Sequence, residues 1–303
     1  MSNAPMPAVL VFAGTDPTGG AGLQADILTL ASLGCHPLSV VTAITVQDTV
    51  GVEDYLPMDA DWINDQARSV LEDMPVAAIK IGMIGSVEGV AVIAEIIADY
   101  PDIPVVLDPV LTSGRGDPFA NEELIDALRD LLLPQVKIIT PNSLEARRLV
   151  ENSADDDADE EEGDGERNTP ATENAFDDPP EALDLDQCAS SLIDMGCEYV
   201  LITGAHEQTV HVSNTLYNMR GILRRMNWER LPASYHGSGC TLASAIAAFL
   251  AQGQDVSAAV KEAQEYTYQS LKNAYRPGMG QFIPDRLYWV RGDDDEPSAA
   301  SEQ

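Results

Sequence analysis

Apolar residues fall along this chain in short blocks that alternate between two periods. Ala8 to Ala13 is a continuous apolar run, as expected for a parallel strand buried on both faces. A glycine-rich stretch follows. Helical spacing then runs from Gly22 to Leu33, with Gly34 placed to stop it. The same succession repeats as strand Pro37 to Thr45, helix Asp59 to Asp73, strand Ala77 to Ile81, and a helix capped by Ser86 that reaches Tyr100. Strand Val105 to Asp108, helix Leu124 to Leu133, strand Val136 to Thr140 and helix Ser143 to Val150 continue it. Beyond a polar gap come helix Glu181 to Met195 and strand Tyr199 to Thr203. An antiparallel pair, Val210 to Tyr217 and Ile222 to Leu231, precedes two last helices, Gly239 to Ala251 and Val256 to Ala274.

Alternating strands and helices predict an α/β fold, a three-layer α/β/α sandwich with a mostly parallel central sheet. Crossovers are then right-handed, and ligands sit at the carboxyl ends of the strands. A chain of 303 residues that is 45% hydrophobic buries a substantial core without staples. One domain over residues 1–290 is expected, interrupted by an insertion at about 151–181 and followed by a tail, 291–303.

Charge sets those two segments apart. The formal net charge is -33. Residues 151–186 hold 16 acidic residues and one basic, giving -15, and residues 291–303 give -4, which leaves -14 for the rest. Both segments are poor in large apolar residues and are expected to be disordered. The balance argues against nucleic acid or an anionic membrane as partner. A salt-adapted host and an ordinary acidic cytosolic enzyme both account for an acidic core. No run reaches the length of a membrane span, and the N-terminus lacks the basic start of a signal peptide. Four cysteines without a CxxC pair suit a reducing cytoplasm.

Three clusters carry candidate chemistry. Gly14, Asp16, Gly19, Gly20, Ala21 and Gly22 lie in a loop between the first strand and the first helix. Its glycines permit close backbone approach, and its amides with a helix N-terminus suit an anion or a polar ring. A tight structural turn would use the same residues. Gly237, Ser238, Gly239 and Cys240 lead into an apolar helix. Their amides suit a transferring phosphoryl group, and the helix start is expected to lower the Cys240 thiol pKa. A small cysteine packed behind a helix start is the plainer alternative. Asn142 and Glu145 share one helical turn, where they suit hydrated Mg2+ or phosphate, or form a capping box. Asp108 ends a strand, as a metal or substrate group or as a turn former. Arg115 is among the few cations nearby, and Lys80 reads as a satisfied or snorkelling strand lysine. His206 and His211 are too isolated for metal ligands.

Six segments in order resemble the ribokinase-like small-molecule kinases, most nearly the hydroxymethylpyrimidine/phosphomethylpyrimidine kinase family. They are AGTDPTGGAGLQAD (Ala13 to Asp26), VTAITVQDT (Val41 to Thr49), KIGMIGS (Lys80 to Ser86), VLDPV (Val106 to Val110), TPNSLEA (Thr140 to Ala146) and HGSGCTLASAIA (His236 to Ala247). The resemblance implies a ribokinase-like fold. It also implies ATP as co-substrate, Mg2+, and phosphorylation of the CH2OH of a pyrimidine and of its monophosphate in thiamine biosynthesis. It implies a cytoplasmic homodimer. By matched position, Cys240 is the base near the acceptor hydroxyl, and Gly237 to Gly239 form the anion hole. Gly14, Ala21, Val46, Gln47 and Met83 line the pyrimidine pocket. Asp108, Asn142 and Glu145 belong to the metal and phosphate region, and Thr203 and Gly204 to the ATP side. The family often has lysine where this chain has Thr203, so charge compensation is expected from Mg2+, helix N-termini and Arg115. A pyridoxal-type vitamer kinase is the alternative of the same chemistry. A pyrimidine-binding sensor without turnover is the alternative of another class.

Overall fold

The structure, a computed structural model, describes residues 6–112, 119–151 and 183–290. The expected insertion and acidic tail, and Arg115, lie outside the described residues apart from the edges of the insertion.

Nine strands form one sheet. They are β1 (Ala8–Gly14), β2 (His36–Gln47), β3 (Val52–Pro57), β4 (Val76–Ile81), β5 (Val105–Leu107), β6 (Ile138–Ile139), β7 (Tyr199–Ile202), β8 (His211–Asn218) and β9 (Gly221–Glu229). Their order is β3-β2-β1-β4-β5-β6-β7-β8-β9. The run from β2 to β7 is parallel, whereas β3, β8 and β9 attach antiparallel at the two ends. β1 alternates between two apolar layers: Val9, Val11 and Ala13 face one, Leu10 and Phe12 the other. The first layer packs on α1 (Gly22–Ser32), α7 (Ser238–Ala251) and α8 (Val256–Lys272). The second packs on α2 (Ala60–Leu71), α3 (Val87–Ala98), α4 (Glu122–Ala127), α5 (Ser143–Arg148) and α6 (Leu185–Asp194). The expected α/β/α sandwich is therefore present.

The chain leaves β1 toward β2 on one side and returns to β4 on the other. This reversal opens a crevice at the carboxyl end of β1, where open α/β sheets bind ligands. The loop Gly14–Gly22 stands in that crevice. The ends of β4, β5, β6 and β7 line up beside it.

Local signals explain most boundaries. Gly34 takes φ 78 just past α1, as a helix stop requires. The Ser86 hydroxyl accepts from the Gly89 amide at 3.1 Å and caps α3. Other boundaries differ from expectation. β3 is an additional strand, half-exposed and acidic, joined to β2 by a turn in which Asp48 Oδ1 accepts from Val50 N at 2.7 Å and Gly51 N at 3.1 Å. The helix expected at Leu124 starts at Glu122 and is α only to Ala127. A π turn over Leu128–Leu132 and a 3-10 turn containing Pro134 complete it. β6 is two residues long.

Ser86→Ala should destabilise the fold by about 1 kcal/mol through loss of the cap. Ile93→Ala, on the fully buried face of the same helix, should cost about 2–5 kcal/mol. Urea unfolding of the two variants checks this. Equal losses would mean that α3 is not held by its buried face.

Candidate active site

Geometry at the end of β1 is dictated by glycine. Gly22 takes φ 57, and a Cβ there would overlap the Gly14 carbonyl oxygen. The loop between them therefore folds back over the strand end. Asp16 sits at its centre, fully buried. Its Oδ1 accepts from Thr18 N at 2.8 Å, and its Oδ2 from Thr18 Oγ1 at 3.0 Å and Ala21 N at 2.7 Å. His236 Nε2 lies 2.8 Å from the same Oδ2. Burial pushes the Asp16 carboxyl up, but the His236 bond and the Ala21 and Thr18 amides outweigh it and hold it below its ordinary value. Asp16 was expected among the substrate-binding residues. In the structure its Oδ2 meets three partners and its Oδ1 one, all within the protein.

The second glycine cluster meets the first directly. Gly237 is the left-handed N-cap of α7, φ 82, and a Cβ there would overlap the Gly20 carbonyl oxygen. A Cβ on Gly20 would overlap the His236 ring. Two backbones thus touch where any side chain would part them. The amides of Ser238, Gly239 and Cys240 open α7 and have no partner within the helix. They carry its positive end. A Cβ on Gly239 would stand 3.5 Å from Asp108 Oδ1, so the helix start faces that carboxylate.

Beneath the junction lies a buried charge cluster. Lys80 is fully buried, its Nζ 3.0 Å from Asp26 Oδ2 and 4.0 Å from Asp108 Oδ2. Asp26 Oδ1 accepts from Ser244 Oγ at 2.7 Å. Lys80 does not snorkel. Burial alone would lower its pKa, but Asp26, with Cys240 and Asp108, raises it above the ordinary lysine value, so it remains an ammonium. Asp108 Oδ2 has no hydrogen-bond partner although it is buried. Burial pushes the Asp108 carboxyl up, opposed by Lys80 and reinforced by Asp26. Glu145 is pushed up to about 8, first by burial and then by Asp108, against the Asn142 amide.

Cys240 corrects an expectation. The helix start does not deliver a low-pKa thiol: burial pushes it up to about 12, with Lys80 pulling down and Asp108 and Asp26 pushing up. Two carboxylates and desolvation outweigh the helix end. At neutral pH Cys240 is a thiol.

The capping box is fully formed. Asn142 Oδ1 accepts from Leu144 N and Glu145 N, each at 2.9 Å, while Glu145 Oε2 accepts from Asn142 N at 2.9 Å. Structural and ligand readings of this pair are therefore superimposed. Thr203 pairs with Asn142 in an isolated parallel bridge, and Gly204 N donates to Asn214 Oδ1 at 3.1 Å. On the other flank Met83 packs against Gly14. Gln47 Nε2 donates to Thr45 Oγ1 at 2.7 Å. Val46 is exposed on the β2–β3 hairpin.

Four residues of this region are not among the expected site residues, although His236 opens the segment His236 to Ala247. Arg286 joins the two glycine clusters from the far end of the chain. His236 holds Asp16. Arg147 pairs with Glu207 at 2.9 Å, and Arg230 donates to the carbonyls of Ala205, Glu207 and Thr209 at 2.7, 2.8 and 3.1 Å. Arg147 is thus balanced by Glu207, and Arg230 pins the backbone of the segment that follows Gly204. The described His, Cys, Asp and Glu residues include no group of three placed to hold a metal ion. Among the described residues no helix is long and apolar enough to cross a membrane.

Comparison with known proteins agrees with this geometry. The family model for phosphomethylpyrimidine kinase matches residues 16–167 and 167–285. Hydroxymethylpyrimidine/phosphomethylpyrimidine kinase of Streptomyces coelicolor is 34% identical over 278 residues, covering 90% of this chain and 92% of that protein. The pyridoxal kinase of Staphylococcus aureus in complex with AMP-PCP and pyridoxal superposes with TM-score 0.77 at 26% identity, covering 95% of this chain and 96% of the other. Phosphomethylpyrimidine kinase from Clostridium difficile superposes with TM-score 0.67 at 28% identity, covering 88% and 100%.

A thiol held at about 12 is mostly protonated across the neutral range. Alkylation of Cys240 by iodoacetamide, followed by peptide mapping, should accelerate about tenfold per pH unit from pH 7 through pH 10. A plateau below pH 9 would show a low-pKa thiolate instead.

Proposed function

Because the chain belongs to the phosphomethylpyrimidine kinase family, we propose that it phosphorylates 4-amino-5-hydroxymethyl-2-methylpyrimidine with ATP. It then phosphorylates the monophosphate to the diphosphate, as a cytoplasmic enzyme of thiamine biosynthesis with one kinase domain over residues 1–290. The observation that carries this reading is the junction itself: a glycine loop at the sheet's switch point touching the start of α7, where Gly239 lies against Asp108.

In the first step the substrate CH2OH oxygen bonds to the γ-phosphorus, the bond from that phosphorus to the β,γ-bridging oxygen breaks, and ADP leaves. The hydroxyl proton passes to an oxygen of the transferred phosphoryl group, and from there to water, as the new ester forms. The Gly14–Gly22 loop, Met83, Val46 and Gln47 hold the ring. The Gln47 amide both donates and accepts, which suits an aminopyrimidine edge. The Ser238, Gly239 and Cys240 amides receive the equatorial phosphoryl oxygens. Asn142, Thr203 and Gly204, backed by Arg147 and Arg230, receive the rest of the nucleotide. With its thiol pushed up to about 12, Cys240 stays protonated and assists by hydrogen bonding at the acceptor hydroxyl, so positioning and charge supply most of the acceleration.

Asp108 and Glu145 fit Mg2+. Asp108 Oδ2 is an orphaned buried oxygen, and burial together with Asp108 pushes the Glu145 carboxyl up to about 8. A divalent cation relieves both conditions, and Mg2+ takes few protein ligands and completes its shell with water and phosphate. When bound it neutralises charge on the phosphates. A second copy of the chain as partner is supported by the hairpin β2–β3, where Ile44, Val46 and Leu56 stand 48%, 55% and 64% exposed.

A pyridoxal-type activity is favoured by one observation, the superposition on the Staphylococcus aureus pyridoxal kinase. Turnover of ATP with hydroxymethylpyrimidine, its monophosphate and pyridoxal, side by side, decides. The pyrimidines should have the higher kcat/KM, and a higher value for pyridoxal would overturn the reading. Cys240→Ala should lower kcat by about 100-fold while leaving pyrimidine affinity within a few-fold. Near-normal turnover in that variant would remove Cys240 from the reaction.

A further inference from the structure

We propose that Arg286 is a positioning residue for phosphoryl transfer, one that fastens the substrate loop to the start of α7 through their carbonyl groups. This rests on the kinase reading above. The Arg286 residue is 3% exposed. Its Nη2 donates to Gly20 O at 2.5 Å and reaches Gly237 O at 3.5 Å. Its Nη1 donates to Gly19 O at 3.3 Å and its Nε to Thr241 Oγ1 at 3.0 Å. The Thr241 hydroxyl in turn donates to Gly237 O at 2.8 Å. One planar guanidinium therefore spans both glycine clusters. An ammonium, with its donors on a single atom, cannot reproduce that span.

The arginine is itself held from behind. Its carbonyl accepts from Ser32 Oγ at the end of α1 and from the Tyr266 hydroxyl of α8, each at 2.7 Å. The Asp285 amide donates to Ser270 O at 2.9 Å. These anchors are independent of the glycine clusters, so the guanidinium is a fixed reference and not a passenger.

Peptide geometry converts this into function. No cis peptide is present among the described residues. In a trans peptide the N–H points opposite to the C=O. The Gly237 carbonyl is held by Thr241 N at 3.0 Å and by the Thr241 hydroxyl that Arg286 Nε fixes, with Arg286 Nη2 on the same side, so the Ser238 amide points to the opposite side, as a phosphoryl donor site requires. The Gly20 carbonyl is drawn the same way, and its peptide partner, the Ala21 amide, meets Asp16 Oδ2 at 2.7 Å. Arg286 and Asp16 thus grip the Gly20–Ala21 peptide from its two ends. A buried charge is costly unless its donors are met. Here they are met by carbonyls and a hydroxyl. A neutral donor would suffice to tie two loops together, whereas a cation behind the amides also favours an anionic group in front of them.

The test uses the full chain with Arg286→Met and Arg286→Lys. Reaction of ATP with hydroxymethylpyrimidine gives kcat and both KM values, and amide hydrogen exchange reports on residues 14–22 and 237–241. In Arg286→Met, kcat should fall by about 100-fold, the loss expected of reacting groups misplaced by about 1 Å, with both KM values within about threefold. Arg286→Lys should recover less than about tenfold of that loss, because it restores charge without the span. Exchange should rise in both segments together and not across the sheet. A folded Arg286→Met or Arg286→Lys with parental kcat would overturn the proposal, as would a loss carried by KM alone or faster exchange in one segment only. If Arg286→Met does not fold, Arg286→Lys decides by the same two readouts. If the parent does not phosphorylate the pyrimidine, the kinase reading fails by itself, and the paired exchange response still decides whether Arg286 holds the two segments.

Discussion

Two backbones touch at the centre of this protein, and the rest of the site is arranged around that contact. The Gly20 carbonyl oxygen occupies the space where a side chain of residue 237 would lie, and the Gly14 carbonyl oxygen occupies that of residue 22. Both Gly22 and Gly237 have positive φ. Glycine is required there twice over, by conformation and by space. The consequence is electrostatic. α1 and α7 both begin at this point, so two helix N-termini converge at the end of β1. Their amides create a positive concavity, although the Gly22 amide is taken up by Cys240 and the Ala21 amide by Asp16.

Below that concavity the buried charges are paired off unevenly. Lys80 from β4, Asp26 from α1 and Ser244 from α7 satisfy one another. A buried ion pair is weak evidence for stability, since desolvation offsets much of its attraction. Its value here is placement: it fixes three elements against each other directly under the reacting region. Asp108 is left out of the arrangement. It lies 4.0 Å from Lys80, with an oxygen that no donor reaches. The same carboxylate lifts Glu145 and Cys240. Burial is the larger cause at both, and the under-satisfied carboxylate adds to it.

What the sequence makes legible is whatever depends on near neighbours. The stop at Gly34, the cap at Ser86 and the reciprocal cap of Asn142 and Glu145 are all local, and all form. The sandwich follows from periodicity. β3 escaped because an exposed edge strand carrying Glu53 and Asp54 has the composition of a loop. The contact between Asp16 and His236 escaped because the two are 220 positions apart, while Thr18 and Ala21, which also meet Asp16, are local. Arg286 is 266 positions from Gly20 and carries no motif. Cys240 shows the limit most plainly. The local rule, a thiol at a helix start, points down, while the tertiary surroundings of burial and two carboxylates point up.

The same distinction resolves how so acidic a chain can suit an anionic nucleotide. Net charge is a sum over the surface, and surface charges separated by more than about 8 Å are largely screened at physiological salt. Charges inside a closed crevice are screened far less. Most of the formal -33 resides in two segments of the sequence, 151–186 and 291–303. In the crevice the balance differs: two helix starts, Lys80 and Arg286 stand against Asp26, Asp108 and Glu145. Lys80 is matched by Asp26, and Arg286 by carbonyl dipoles in place of a carboxylate. Glu145, pushed up to about 8, adds little negative charge at neutral pH. A lysine at position 203 is therefore not the only route to a phosphate site, because the backbone and one buried guanidinium supply the field from behind.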